Sequence, residues 1–306
     1  MLDSALSTSF MAMGNTVRVV VVGGVTDHLD VARARIAELE SLWSRFVPSS
    51  DVSRLNRAGG RTTSVAPATI TLLQYMADAH RRTGGLFDPT QLPHLIEAGY
   101  AKSLVSDRLT ILPSGVVWSH GLHEMSIDVG SRCVTLPPGV TIDAGGIGKG
   151  LAADIVATEL VAAGAQGALV SVGGDIRCVG EGDRDGAWEI AIAEPSGTGE
   201  IDRVSIRSGA VATSSVLAKT FDHGGERRSH LVDPRSRLAI VPESWRVMQA
   251  TVVAAECVWA EAMTKAVMLG GPGGGIALVD GLNLAAMIVM DGGTIHRSVA
   301  WNEFSS

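Results

Sequence analysis

Between Asp27 and Trp43 the apolar positions Val31, Ala34, Ala37, Leu39 and Leu42 recur at helical spacing, and they predict an α-helix over that span. A second helix is predicted over Pro67–Arg82. Thr16–Val22 is β-branched and ends in Gly-Gly, which predicts a strand. The segment RFVPSSDVSRLNRAGG reads as a turn-rich connection, and Gly-rich TGGLFDPT (83–90) as an interruption. Residues 103–141 alternate short β-like runs with turns (RLTILPSG, GVVWS, EMSIDVG, RCVTLPPG, VTID) and predict an antiparallel meander. IDAGGIGKGLAADIVATELVAAG (142–164) reads as a strand end, a Gly-rich turn and a long helix. GALVSVGGDIRCVGEG predicts two strands about a tight turn. WEIAIAEP, RVSIRSGAVATSS and TVVAA add strands, and NLAAMIVM with TIHRSVAW predicts a closing hairpin about DGG. Helices mixed with mainly antiparallel strands indicate the α+β class, as a single domain over 1–306 with no separable linker.

One helix stands apart. CVWAEAMTKAVMLGG, Cys257 to Gly271, is apolar on almost every side and is ended by a Gly pair and Pro272. Its polar residues Glu261, Thr264 and Lys265 sit at i, i+3 and i+4, so they share one face. A helix that looks buried all round thus keeps one charged spot.

Composition narrows the function classes. The 306 residues carry a formal net charge of -7, and no basic block is present to release counterions from a polyphosphate, which argues against a nucleic-acid binder. Cys133, Cys178 and Cys257 are widely spaced with no CxxC, so buried free thiols are expected in place of zinc or a disulfide framework. The start, MLDSALSTSFMAMG, shows no signal peptide and no lipobox-like Cys, and no window is long and apolar enough for a membrane helix. A cytoplasmic location is expected.

Of the local motifs, IDAGGIGKG is the most suggestive. Successive glycines let backbone N–H groups approach an anion, the following helix offers its positive end, and Lys149 adds a charge. Gly150 stands where a Walker A motif requires Ser or Thr, and GxGxxG does not fit. Read by itself, the segment also describes a tight turn with a solvated lysine. Asp88-Pro89 initiates a turn, and SVGGDI reads as a hairpin turn. His230 lies just before a strand ending at Asp233-Pro234, with no second His or Cys at metal-ligand spacing. Ser214 and Ser215 lack a G-x-S-x-G elbow, so a serine hydrolase is not expected.

Taken together and in order, FMAMGN, RFVPSSDVSRLN, TGGLFDPT, IDAGGIGKGLAAD, LVSVGGDIRCVG, VATSS, SHLVDP and AEAMTKAVMLG resemble the ApbE family of FAD:protein FMN transferases, from about Ser9 to Trp301. The resemblance implies mainly antiparallel sheets flanked by helices, with an FAD cleft between two subregions. It implies cleavage of the FAD pyrophosphate with bound Mg²⁺, and transfer of FMN through a phosphoester bond to a Thr or Ser of an acceptor flavoprotein carrying a D-G-x-[ST]-G-A-T-like motif. Some members hydrolyse FAD to FMN and AMP instead.

On that template Met13, Gly14 and Asn56 line the FAD cleft, and Phe87 and Asp88 fix the flavin or adenine end. Gly145, Gly146 and Lys149 meet the phosphates, with the Gly146 carbonyl as a metal ligand. Thr213 and Ser214 bond to the ligand, and His230 acts near the transferred phosphate. Asp143 and Asp175 are further candidates that turn-capping aspartates would mimic. The family pattern A-D-A-L-S-T-A places metal-ligating Asp and Thr one turn apart, and here Glu261 and Lys265 take those positions, with Thr264 at the Ser. Glu keeps a hard oxygen ligand, whereas an ammonium has donors and no acceptor. Three readings stay open at this point: Lys265 substitutes for the cation, Glu261 still holds Mg²⁺ with Gly146, or the site binds flavin without catalysis. Two further departures are Ser229, where a second His is common, and Arg235-Ser236-Arg237 after SHLVDP.

Overall fold

The computed structural model describes residues 5–116, 121–182 and 185–305. In chain order the elements are β1 (Leu6–Ala12), β2 (Asn15–Val22), α1 (Asp27–Trp43), α2 (Asp51–Arg57), β3 (Thr63–Ser64), α3 (Pro67–Arg82), α4 (Leu92–Glu97), β4 (Ser126–Asp128) and β5 (Cys133–Thr135). There follow α5 (Gly148–Ala162), β6 (Gly167–Val172), β7 (Asp175–Gly180), β8 (Trp188–Ala193), β9 (Glu200–Ile206) and β10 (Gly209–Ser215). Then come β11 (Thr220–His223), β12 (Glu226–Ser229), β13 (Val232–Asp233), β14 (Leu238–Ala239), β15 (Val247–Ala254), α6 (Cys257–Gly281), β16 (Ala285–Met290) and β17 (Ile295–Arg297). The α+β class expected from the sequence holds, and α1 and α3 run over the predicted residues.

The chain divides into two compact units. One comprises Met1–Ala37, Lys149–Leu217 and Trp245–Ser306; the other comprises Glu38–Gly148 and Ala218–Ser244.

The first unit is built on an antiparallel sheet in the order β1-β2-β6-β7-β10-β15-β16-β17. Its two faces are buried differently, as strand alternation requires. Val211 and Val253, paired across β10 and β15, join Trp188, Ile190, Ile192, Val204, Ile206 and Trp301 in an apolar cluster under the β8–β9 hairpin. The intervening positions Ala210, Ala212, Ala250 and Val252 are small or β-branched and buried, and α6 packs on β10, β15 and β16. Small residues on that face let the helix approach closely.

Helix α6 starts after Glu256, whose own side chain does not cap it. The cap comes from α5: Asp154 accepts from the N–H groups of Cys257 and Val258, both at 2.8 Å. Its carboxylate satisfies two orphan donors and faces the positive helix end. Burial pushes the Asp154 carboxyl up to about 6 against these two bonds and the nearby Arg177. The predicted end of the helix holds, since Gly271 adopts non-helical φ 65°, ψ -168°. A second helical segment then starts at Pro272 and runs to Gly281, which the sequence reading did not expect; Pro at a first helical position lacks only an N–H that would be unpaired anyway.

The second unit corrects two expectations. The supposed turn-rich connection 45–60 contains α2, nucleated because Ser50 Oγ accepts from the Ser53 N–H at 3.0 Å. The meander over 103–141 reduces to β4 and β5, which pair with β3 in a three-stranded sheet of two- and three-residue strands. Gly and Pro punctuate that region too densely for longer ladders. Residues 117–119 of the strand expected over GVVWS lie outside the described residues. The short helix α4 was also unforeseen, its six residues falling below the span over which periodicity can be read.

Candidate active site

Glu261 is the most buried charged group of the first unit, with no exposed surface. Its Oε2 accepts from the Gly150 N–H at 2.7 Å in the first turn of α5. Its Oε1 lies 3.0 Å from Lys149 Nζ and 3.5 Å from Lys265 Nζ. Lys265 also donates to the Glu261 carbonyl at 3.0 Å, and Lys149 closes on Asp175 Oδ2. Two carboxylates and two ammoniums therefore form one neutral cluster. Burial pushes the Glu261 carboxyl up, but Lys149, Lys265 and the Gly150 N–H together outweigh it and hold the group below its ordinary value. Burial lowers Lys265 to about 8 despite the neighbouring Glu261. Side-chain exposure is 16% for Lys149 and 12% for Lys265 against 0% for Glu261, so what surface the three groups keep belongs to the lysine side chains.

The glycine at 150 is what allows this contact. A Cβ there would meet the Cys257 carbonyl oxygen at 2.4 Å, so only glycine lets α5 come this close to α6.

A hydroxyl relay backs the cluster. Thr264 Oγ1 spends its proton on the Glu261 carbonyl at 2.7 Å, so the 2.7 Å contact with Ser214 must be donated by Ser214. Thr213 bonds instead to Thr251 at 2.9 Å. As consecutive strand residues, Thr213 and Ser214 point to opposite faces of the sheet, so the structure does not bring these two expected ligand contacts together.

Met13 and Gly14 form the two-residue turn of the β1–β2 hairpin, with φ of 51° and 67°, a turn that needs positive φ at both places. The pairing of Val17 with Val172, and of Val172 with Asp175, puts this turn at the same end of the sheet as Asp175.

Residues of the second unit form their own constellation. The Asn56 amide donates to the Ile142 carbonyl at 2.9 Å and accepts from its N–H at 2.8 Å. Both ends of the amide are thus taken, and Asn56 fixes the segment that leads into Gly145 and Gly146. Gly145 is exposed and Gly146 partly so, and the Gly145 N–H turns back to Asp143 Oδ1 at 3.3 Å. Phe87 is buried, and Asp88 accepts from the Thr90 N–H, the Thr90 hydroxyl and the Gln91 amide at 2.6–2.9 Å. The Asp143 N–H donates to the Pro89 carbonyl at 2.9 Å, tying the two predicted motifs together. His230 Nδ1 lies 3.1 Å from the Ala218 carbonyl. A carbonyl only accepts, so Nδ1 carries a proton toward Ala218. Arg235 pairs bidentately with Asp233, with bonds of 2.9 and 2.8 Å.

Sequence reasoning missed three residues. Gly150 was noted only as a Walker A mismatch. Asp154 looks like any helical aspartate, and its capping role depends on a residue 103 positions away. Arg45 is buried, donates to Thr110 Oγ1 at 3.0 Å and to the Tyr100 carbonyl at 2.9 Å, and lies 3.6 Å from Asp143. No local pattern marks any of them.

The donor set does not suit Mg²⁺, which demands near-octahedral oxygen coordination. Both Glu261 oxygens already have donors, and Lys265 offers no lone pair while charged. The orphaned buried acceptor Asp175 Oδ1 supplies one oxygen, beside the Lys149 ammonium. Among the described residues no group of three or more His, Cys, Asp or Glu gathers. A divalent ion within about 4 Å of Lys265 would be repelled by roughly 8 kcal/mol at an effective dielectric near 20.

Comparison with known proteins follows the same lines. Residues 13–288 match the ApbE family. An FAD:protein FMN transferase of Rhodobacter capsulatus is 30% identical over 69% of this chain, which spans only 41% of that protein. One from Vibrio cholerae is 26% identical over 89% of this chain and 82% of its own length. Among solved structures, the ApbE protein of Thermotoga maritima superposes with TM-score 0.85 at 25% identity, covering 99% of this chain and 100% of the other. Pseudomonas stutzeri flavinyl transferase ApbE, at 24% identity and TM-score 0.81 over 99% and 97%, shares the fold.

Proposed function

The chain belongs to the ApbE family, and from that premise we propose that it is an FAD:protein FMN transferase acting on a Thr or Ser of an acceptor flavoprotein. The observation that carries this reading is the family match over residues 13–288, which takes in almost all of the motif blocks.

In the proposed reaction the acceptor hydroxyl oxygen bonds to the phosphorus on the FMN side of the FAD pyrophosphate. The P–O bond toward the adenosine side breaks, AMP leaves with the electron pair, and the hydroxyl proton passes to a base. His230 is that base in this reading, its ring oriented by the Nδ1 bond to the Ala218 carbonyl. Lys149 and Lys265 face the pyrophosphate and offset its charge, with Glu261 holding both ammoniums in place. In this reading the partly exposed Gly146 offers its backbone N–H to phosphate, the Gly145 N–H being bonded to Asp143. The family resemblance assigns Met13 and Gly14, and separately Phe87 and Asp88, to contacts with the dinucleotide. Ser214, its proton already committed, only accepts from the ligand. Asn56 acts indirectly, by placing 142–146. No step is routed through a metal.

The acceptor carries a D-G-x-[ST]-G-A-T-like segment in this reading. The test is to incubate the protein with FAD and such an acceptor domain and to read flavin fluorescence in a denaturing gel. A fluorescent acceptor band that vanishes when its Thr or Ser is replaced by Ala is expected. An acceptor that stays dark while FAD is bound would contradict transfer.

A further inference from the structure

The charge at Glu261 is balanced in an unusual way. Asp175 and Glu261 contribute two negative charges, and Lys149 and Lys265 return two positive ones. Without Lys265 the cluster would be anionic, repelling a pyrophosphate and inviting a divalent cation. With it, the cluster is neutral, and the surface it keeps belongs to two partly exposed lysine side chains. Lys265 is anchored by the Glu261 carbonyl at 3.0 Å and the carboxylate at 3.5 Å, which leaves one of its three N–H donors for a ligand. Its position one turn beyond Glu261 puts it on the same helix face.

We infer that Lys265 is the built-in cation of this site, so that the protein binds the pyrophosphate of FAD without a divalent metal. The inference rests on the flavin reading above and adds which group supplies the charge. Lysine is a competent phosphate binder as a point charge, and an ammonium already held by a buried carboxylate loses little further freedom on meeting the ligand.

Two measurements on purified, flavin-free protein decide it. Calorimetric titration with Mg²⁺ and with Mn²⁺ should give no saturable heat for the native chain and one site for Lys265→Thr, which removes the ammonium and adds an oxygen one turn from Glu261. Fluorescence titration with FAD should give native affinities within about twofold in Mg²⁺ and in EDTA, whereas Lys265→Met should weaken binding in EDTA by about tenfold or more. Lys265→Arg, which keeps the charge, should retain most of the EDTA affinity and controls for loss of folding. Saturable Mg²⁺ binding by the native chain, a tenfold loss of its FAD affinity in EDTA, or native-like affinity of Lys265→Met in EDTA would overturn the inference. Failure of the native chain to bind FAD under either condition would overturn the flavin reading itself, and this inference with it.

Discussion

The Gly150 N–H donates to Glu261 Oε2 at 2.7 Å, joining the first turn of α5 to a carboxylate on α6 that has no exposed surface. Both helices are fixed by this bond and its neighbours, and both lysines are aimed by the same carboxylate. Replacing Gly150 by Ala puts a methyl 2.4 Å from the Cys257 carbonyl, where no flexible side chain can give way. We expect Gly150→Ala to cost about 1–3 kcal/mol in denaturant unfolding, the usual range for overpacking. Its flavin affinity should fall as well, because moving α5 away from α6 breaks the bond that positions Glu261. Native stability in this variant would contradict the close approach.

Asp154 caps α6 from outside the helix. Asp154→Ala leaves the Cys257 and Val258 N–H groups without their acceptors. Loss of about 1–2 kcal/mol is expected, as for other N-caps, read as a lower Tm. A Tm unchanged from the native chain would mean that these donors find other partners.

Asp202 gives a pH dependence. Burial would raise its carboxyl, but Ser305, Trp301, Arg297 and the Arg203 N–H all donate to it and together hold it below the ordinary value of 3.8. A carboxyl lowered by folding stabilises the native state fully above its unfolded value and loses that contribution as the pH falls through the folded one. The stability gap between the native chain and Asp202→Asn should therefore be constant from pH 5 to 7 and shrink below about pH 4. Thermal melts across that range check it; a gap that widens in acid would reverse the sign.

Asn56 makes two buried hydrogen bonds to one residue. Asn56→Ala strands both the N–H and the carbonyl of Ile142, at about 1–3 kcal/mol for each buried group left unpaired. In the proposed reading residues 143–149 meet the FAD phosphates, so FAD affinity should fall along with stability. A variant that unfolds earlier but binds FAD as tightly as before would show that Asn56 supports the fold alone.

Much of this was legible in the sequence because it is local. The bounds of α1 and α3 follow from local sequence signals, and the hairpins about Gly173-Gly174 and Gly292-Gly293 follow from turn chemistry, whereas β1 and its turn at Met13-Gly14 were not expected. The charged spot on α6 was visible as a spacing of three and four residues. What was not legible depends on distant partners. The sequence shows Glu261 and Lys265 as an ordinary i, i+4 pair, and only the fold adds Lys149 and Gly150 to the same carboxylate. Nor could the sequence show that the Asn56 amide bonds to both the N–H and the carbonyl of Ile142. The expected meander failed because alternation in short runs does not specify whether strands find partners, and only β4 and β5 did within that region.

The most direct test of the account is the balance of products in a single reaction. Native protein, FAD and an acceptor domain with a D-G-x-[ST]-G-A-T-like segment are mixed in EDTA, quenched, and assayed for AMP released and for FMN bound covalently to the acceptor. Equal amounts of the two, with no free FMN, are the result expected of a transferase whose cation is Lys265. AMP accompanied by free FMN and an unmodified acceptor would contradict transfer and leave hydrolysis of FAD as the reaction.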